Sequence, residues 1–228
     1  MPNWVSNTVI FKSEDVEKVK ALVTTADRAF DFERIIPMPE SLKIVSGSTT
    51  HDALTYLSGV DLDKLKRYPD EGEEPSPSVF YGYERHPETL PELRVFAMLI
   101  AYNKAKYGMT DWYDWANAKW GTKWNAHESM WDGYTVVFDT AWSDPEPIFI
   151  ELSKLLGITF TVRCQEESLA FCSITEYSNG EKTWEDSAEG IEGLILLGFS
   201  KEEVIEWYGD DCVEEYPELK EEIDAAFD

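Results

Sequence analysis

The chain has 228 residues, of which 43% are hydrophobic and 14% aromatic, and 45 acidic residues against 20 basic ones give it a net charge of −25. This composition is too apolar for a disordered acidic segment, so we expect one large domain or one domain with a small appendage. The charge argues against direct binding to nucleic acid or to an anionic membrane, because both repel a strongly negative protein. No run of 18 apolar residues predicts a membrane helix, and the first residues lack the pattern of a signal peptide.

The cysteines favour a reducing compartment. Cys164, Cys172 and Cys212 are few and odd in number, which is typical of reduced thiols in a cytoplasmic protein. Cys164 and Cys172 fall in neighbouring predicted strands, so they are either two buried thiols or a redox pair.

The first elements are a strand, a helix and a second strand. Residues 4–11 alternate apolar and polar side chains, which predicts a strand, and residues 14–23 place apolar side chains at helical spacing. Residues 30–36 alternate again and predict the second strand, which ends at Pro37. A long helical insertion follows over residues 38–130, with helical spacing at 54–68, 91–107 and 110–121 and a loop rich in Pro, Gly, Ser and acids at 70–78.

The second half returns to strands. Residues 133–142 and 158–164 predict strands on either side of a helix at 143–156. Two further strands, at 169–177 and 182–186, flank Asn179-Gly180, a pair typical of a tight hairpin turn. The tail has helical patterns at residues 191–197, 200–208 and 217–227.

Without the insertion, the order of elements is βαββαβ, which predicts an α+β fold with a ferredoxin-like sheet. We therefore expect a ferredoxin-like domain over residues 1–165, with the helical insertion at about 38–130 between the second and third strands. An acidic β-hairpin and helical extension would form residues 166–228.

Four segments carry a family resemblance. They are Met1-Pro-Asn-Trp-Val-Ser-Asn7, Phe32-Glu-Arg-Ile-Ile-Pro-Met-Pro39, Trp112-Tyr-Asp-Trp-Ala-Asn-Ala-Lys-Trp-Gly-Thr-Lys-Trp-Asn125 and Phe138-Asp-Thr-Ala-Trp-Ser-Asp-Pro-Glu-Pro147. Through them, residues 1–165 resemble the YubB/Api92-like family, a phage and plasmid group of unknown function with a ferredoxin-like core. The resemblance implies this fold and a mobile-element setting, and it implies no reaction and no catalytic residue.

Six tryptophans lie within 31 residues, between positions 112 and 142. One interpretation is an aromatic platform for a base, a sugar or another flat ligand, which would make the chain an enzyme or a binder of small molecules or single strands. The alternative is that the rings are structural and hold the insertion against the sheet. The candidate ligand pocket consists of Trp112, Trp115, Trp120, Lys123 and Trp124.

No motif for a nucleophile, a nucleotide or another cofactor is present, and we expect no cofactor. Adjacent acids such as Glu166 and Glu167 are expected to face solvent and not to form an acid/base dyad. The spacing of the histidines predicts no metal site, although folding could bring together Asp111, Asp114, His127 and Glu128. We therefore expect a non-enzymatic protein, with a metal-dependent hydrolase as the main alternative.

The acids concentrate at the end of the chain. From residue 165 onwards, 20 acids face three bases, a net charge of −17. These acids either keep the protein soluble or imitate duplex DNA, which carries one negative charge per ~1.7 Å of axis. Six of the acids recur at a four-residue step, a spacing that aligns side chains along one side of a helix. Two aromatic residues beside them are possible anchors for a partner protein. The candidate partner-binding residues are Glu202, Glu206, Trp207, Tyr208, Asp210, Glu214, Glu218 and Glu222.

These observations predict an acidic inhibitor from a phage or plasmid that acts in the bacterial cytoplasm. Its partner would be a basic host protein, such as a nuclease or effector complex of a CRISPR or restriction defence system, whose nucleic-acid groove it would occupy as a DNA mimic.

Overall fold

The computed structural model describes residues 3–59, 87 and 89–227. The chain divides into two compact units, one formed by residues 1–36 and 120–228 and the other by Pro37–Lys119. We call them the ferredoxin-like unit and the inserted unit. Most of the predicted helix at 54–68 and all of the predicted loop at 70–78 lie outside the described residues. The predicted domain boundary at residue 165 stays a prediction.

The described strands are β1 (Trp4–Ile10), β2 (His127–Asp132), β3 (Thr135–Ala141), β4 (Thr159–Glu166), β5 (Cys172–Ser178) and β6 (Glu181–Ala188). The described helices are α1 (Val16–Val23), α2 (Ser48–Ser58), α3 (Leu90–Tyr107), α4 (Trp112–Lys119), α5 (Glu146–Leu156), α6 (Gly190–Leu196), α7 (Lys201–Tyr208), α8 (Asp210–Glu215) and α9 (Pro217–Ala226). None of these helices combines the length and apolar character needed to cross a bilayer.

The six strands form one antiparallel sheet in the order β2-β3-β1-β4-β5-β6. The elements β1, α1, β2, β3, α5 and β4 follow the βαββαβ order, so the predicted ferredoxin-like α+β fold is confirmed. The hairpin of β5 and β6 extends the sheet beyond β4. Its turn places Asn179 at φ 50° and Gly180 at φ 91°, the left-handed conformations that an Asn-Gly turn supplies.

One side of the sheet is covered by α5, whose Phe149 ring packs against Phe138, Phe160 and Tyr177. The Lys18 ammonium of α1 donates to the carbonyl of Leu156 at the end of α5. Alternate residues of the strands point into this layer, and their burial follows from the two-residue period of a strand. Val9, Phe138, Leu152 and Phe160 are each at most 2% exposed there.

The second strand is not where the sequence pattern placed it. Residues 30–36 contain a short 3-10 helix, Phe32–Arg34, and β2 begins only at His127. Phe30 and Phe32 are fully buried, as the alternation predicts, and the Phe30 ring stacks 4.8 Å from that of Phe138. Side-chain oxygens accept the hydrogen bonds that these backbone N–H groups would otherwise donate within a sheet. Asn125 Oδ1, for example, accepts from Phe32 N at 2.9 Å.

Two consequences follow from the position of β2. The insertion lies between α1 and β2, so its predicted position between the second and third strands is wrong. The sequence does not predict β2, because this edge strand has mostly polar, exposed side chains and lacks the apolar alternation of a buried strand.

The two strand cysteines point to opposite sides of the sheet. Cys164 pairs with Ser173, and Gln165 pairs with Cys172, so the two thiols occupy alternate positions of the ladder. Burial raises the pKa of the Cys164 thiol, and burial together with the Glu166 carboxylate raises the pKa of Cys172 to about 11. Both thiols are therefore protonated at neutral pH, which favours the interpretation as two buried structural cysteines over the redox pair.

The inserted unit has a small helical core of its own. Val45, Ala53, Leu93, Ala97 and Ile100 pack between α2 and α3 and the segment before them. Predicted helices 91–107 and 110–121 correspond to α3 and α4, and α3 ends at Gly108, whose φ is 76°.

Glu166 at the end of β4 is buried, contrary to the prediction that it faces solvent; it is 3% exposed. Its Oε1 accepts from Asn3 Nδ2 at 2.7 Å, and its Oε2 accepts from the backbone N–H groups of Ser168 at 2.9 Å and Ala170 at 3.1 Å, and from the Ser168 hydroxyl. Burial alone would raise the pKa of this carboxyl, but the hydrogen bonds outweigh burial and hold its pKa below the ordinary value of 4.5.

We expect Glu166→Gln to lower the free energy of unfolding by about 2 kcal/mol at neutral pH, because hydrogen bonds to a charged group are worth about 1.5–3 kcal/mol. Since the folded-state pKa lies below the unfolded one, this contribution is complete above the ordinary pKa and is lost as the pH falls through the folded value. Urea unfolding at pH 7 and about pH 3.5 should therefore show the difference from the parent protein shrinking in acid. Glu167→Gln, at an exposed position, is the control; an equal difference at both pH values contradicts the prediction.

Candidate functional site

The C-terminal helices cover the second side of the sheet at β5. Their apolar sides form one core with the strand, in which Cys172, Leu194, Val204 and Ile223 are fully buried. The helices are short and amphipathic, so burial of one side leaves the other side in water. A capping box begins α7, where Ser200 and Glu203 exchange side-chain-to-backbone hydrogen bonds.

The outward side of these helices is lined with carboxylates, which we call the acidic surface. These residues are all exposed: Glu192, Glu202, Glu203, Glu206, Asp211, Glu218, Glu221 and Glu222. The acidic surface includes four of the six acids that the four-residue step picked out. The side chains of the other two, Asp210 and Glu214, lie outside the described residues.

The acids do not form two straight rows. The backbone turns at Gly209, where φ is 89°, and again at Tyr216, between α8 and α9. The four-residue step therefore keeps one pair on each helix: Glu202 with Glu206 on α7, and Glu218 with Glu222 on α9. The surface is a set of short acidic patches on separate helices and not a continuous ridge.

Some of the basic groups of the tail are already engaged by acids. Lys201 Nζ lies 2.9 Å from Asp224 Oδ1. Lys182 contacts Glu146 and lies 3.1 Å from Glu185 Oε1; burial lowers its pKa, but these two carboxylates outweigh burial and raise it overall. These lysines neutralise Asp224, Glu146 and Glu185, none of which belongs to the acidic surface as defined.

A concave region of about 540 Å³ opens within the acidic surface, between the start of α6 and the end of α9. Leu169, Ile191 and Ala225 are among its apolar lining, and Glu189, Glu192 and Glu222 supply carboxylates. An apolar lining with carboxylates around it suits a long side chain that ends in a cation.

The two predicted aromatic anchors differ in accessibility. Trp207 is 39% exposed, and its ring lies edge-on to that of Tyr208 at 5.0 Å. Tyr208 packs against the core under the helices, where burial and then the Glu222 carboxylate raise the pKa of its hydroxyl. Trp207 therefore offers a surface to a partner, whereas Tyr208 mainly holds the helices in place.

The candidate tryptophan pocket is distributed over both units. Trp112 and Trp115 belong to the inserted unit, where Trp115 is 5% exposed. Trp120, Lys123 and Trp124 belong to the ferredoxin-like unit, where Trp120 is 1% exposed and the Lys123 ammonium lies 4.3 Å from the centre of the Trp124 ring. The burial of Trp115 and Trp120 favours the structural interpretation for these two rings.

The four possible metal ligands also separate between the units. Asp111 is buried in the inserted unit, where Thr50 and Thr110 each donate to its Oδ2 at 3.1 Å. Asp114 is exposed in the same unit. His127 and Glu128 lie in the ferredoxin-like unit beside Asp139. The sequence does not indicate Asp139, because only the pairing of β2 with β3 brings it next to the other two residues.

The Asp139 carboxyl is half-buried. Burial raises its pKa, and the Glu128 carboxylate raises it further, whereas His127 and a hydrogen bond from Ser6 act in the opposite direction.

Comparison with known proteins gives one family and one solved structure. The crystal structure of protein Api92 from Yersinia pseudotuberculosis is similar over 83% of this chain and 98% of its own, with 12% identity and a TM-score of 0.41. No curated protein matches the chain. The family model described as a ferredoxin-like domain in Api92-like protein matches residues 119–225, which include the acidic tail that the resemblance in sequence did not reach. Residues 119–225 are therefore similar to the ferredoxin-like domain of Api92-like proteins, which supports the resemblance of this chain to the Api92-like family.

Proposed function

We propose that the chain is a non-enzymatic binding protein whose acidic surface occupies the cationic, nucleic-acid-binding groove of another protein. The partner would be a nuclease or effector complex of a bacterial defence system, met in the cytoplasm of the host cell. The chain would then compete with nucleic acid by presenting carboxylates in place of phosphates.

The observation that supports this proposal is the combination of a fixed apolar side and an exposed acidic side on the same helices. Val204 and Ile223 anchor α7 and α9 in the core, while Glu202, Glu206 and Glu222 are exposed on those helices. Like charges held four residues apart cost a few tenths of a kcal/mol per pair, and a cationic partner relieves this repulsion on binding. Carboxylates on packed helices also lose less conformational freedom on binding than those on a disordered tail.

The concave region adds a specific contact to the general attraction. A lysine or arginine side chain of the partner can lay its aliphatic part against Leu169 and Ile191 and bring its cation to Glu192 and Glu222. Trp207, which is exposed on α7, would supply the aromatic contact area that often dominates the binding energy of an interface.

Reversing four exposed acids should slow association strongly. We expect the fourfold variant Glu202→Lys, Glu206→Lys, Glu218→Lys, Glu222→Lys to lower the association rate constant at least about tenfold, because complementary charge raises encounter rates by about 10–10³. The matched control is Glu14→Lys, Glu17→Lys, Asp27→Lys, Asp132→Lys, which changes the net charge equally at exposed positions outside the acidic surface. Circular dichroism confirms that both variants are folded.

The measurement begins with capture of bacterial proteins on the immobilised chain at low salt, followed by elution with a duplex DNA oligonucleotide. A protein held through its nucleic-acid groove is released by the duplex, and surface plasmon resonance then compares its association with the parent and both variants. Equal rates for the two variants, or retention of the captured protein in excess duplex, would overturn the proposal.

A further inference from the structure

An imidazole and two carboxylates meet on β2 and β3 at the edge of the sheet. The metal-ligating atoms of His127, Glu128 and Asp139 all lie within 4.8 Å of one another. His127 faces Asp139 directly in the ladder between the two strands. His127 and Glu128 are exposed and Asp139 is half-buried, so an ion from solvent reaches all three groups.

An irregularity in β2 makes this convergence possible. In a regular strand, neighbouring side chains point to opposite sides of the sheet, so His127 and Glu128 would be separated. The register shifts between His127 and Met130, and Glu128 has a φ of 47°. A bulge of this kind redirects a side chain, and here it brings the Glu128 carboxylate to the same place as the His127 imidazole.

Neighbouring side chains orient two of the three groups. The Trp4 ring stacks on the His127 ring with centroids 4.9 Å apart and planes inclined by 23°, which fixes the plane of the imidazole. Ser6 lies opposite Asp139 in the β1–β3 ladder, which places its hydroxyl beside the Asp139 carboxyl. Such supporting contacts hold ligands in position before an ion binds.

We propose that His127, Glu128 and Asp139 form a binding site for a divalent first-row metal ion of the zinc and manganese class. Imidazole nitrogen is a preferred ligand of these ions, whereas Mg²⁺ and Ca²⁺ prefer oxygen ligands alone. Ligand atoms bonded at about 2.0–2.2 Å lie roughly 3–3.5 Å apart around such an ion, so small side-chain rotations close the site. Three protein ligands leave at least one coordination position for water or an anionic group.

The site is independent of the acidic surface. It uses a histidine, it lies on strands and not on α6–α9, and its residues are absent from the set reversed in the charge experiment. Loose attraction of cations to a chain of net charge −25 is the main competing explanation for any binding, and it is screened by salt and does not require a histidine.

Isothermal titration calorimetry of the whole chain with Zn²⁺ and with Mn²⁺ at about 0.15 M salt, where the Debye length is about 8 Å, tests the proposal. We expect one saturable equivalent, at least tenfold weaker binding in His127→Ala and in Asp139→Asn, and unchanged binding in the matched control Asp132→Asn. Mg²⁺ should bind weakly and should not distinguish the variants.

Nuclear magnetic resonance of the histidine side chains supplies a second readout. The chain has three histidines, and His127→Ala identifies the resonance of His127. Addition of one equivalent of Zn²⁺ should shift this resonance and leave those of His51 and His86 in place. Binding that is equally strong in His127→Ala and Asp132→Asn, a shift confined to another histidine, or no saturable binding to the parent chain would overturn the proposal.

Discussion

Replacing Trp120 with alanine should lower the free energy of unfolding of the ferredoxin-like unit by about 3–5 kcal/mol, the range for truncating a buried aromatic side chain. Trp120 is 1% exposed, and its ring lies edge-on to Phe32 at 5.7 Å. Its indole Nε1 donates to the carbonyl of Ile36 at 2.9 Å, so the ring also ties the segment after the 3-10 helix to the core. Alanine would leave a cavity and an unpaired carbonyl at once.

Two further variants separate the causes of this effect. Trp120→Phe keeps most of the apolar contact and removes the N–H donor, so it should cost about 1–3 kcal/mol. Trp184→Ala removes a tryptophan that is 51% exposed on β6 and should cost less than about 1 kcal/mol. Urea unfolding followed by far-ultraviolet circular dichroism measures all three; equal costs for Trp120→Ala and Trp184→Ala would show that Trp120 is not a core residue.

The parts of the fold that sequence patterns predict are those with a strong period or a strong local signal. β1, β3, β4 and α5 bury every second residue or one helix side, and the Asn179-Gly180 turn has a conformation that few other pairs adopt. β2 fails both conditions, because it is an edge strand whose side chains are mostly exposed and polar, with only Ser129 and Trp131 half-buried. Residues 30–36 show the alternation of a strand, yet the backbone N–H groups of Phe30 and Phe32 donate to the distant side chains of Ser129 and Asn125.

The candidate sites were predictable only where local sequence decides them. The exposure of Glu202 and Glu206 follows from the apolar period of α7, which the sequence shows. The burial of Glu166 depends on Asn3, 163 residues away, and the approach of Asp139 to His127 depends on strand pairing and a bulge. Long-range pairings of this kind have no local period, so no pattern in the sequence reveals them.

Replacing Gly193 with valine should detach the C-terminal helices from the sheet at a cost of about 3 kcal/mol, at the upper end for overpacking a core. Gly193 lies in α6 against β5, where an added Cβ would stand 2.8 Å from Cys172 Sγ, 2.9 Å from Cys172 Cβ and 3.1 Å from the carbonyl of Ala188. No side-chain rotation relieves the contacts with the Cβ atom and the backbone, so the helix has to move away. Glu192→Val introduces the same side chain at the neighbouring exposed position and controls for its effect on the helix itself.

Hydrogen exchange measures where the damage lies. We expect Gly193→Val to lose protection of backbone amides in α6–α9 while β1 and β3 keep theirs, because the core under the helices is separate from the core under α1 and α5. Protection lost evenly across the sheet, or none lost at all, would contradict this prediction. The variant leaves every carboxylate in the chain, so it separates charge from its arrangement. If the proposed partner responds to net charge alone, Gly193→Val should associate as fast as the parent; if it requires carboxylates held on packed helices, association should fall with the loss of protection.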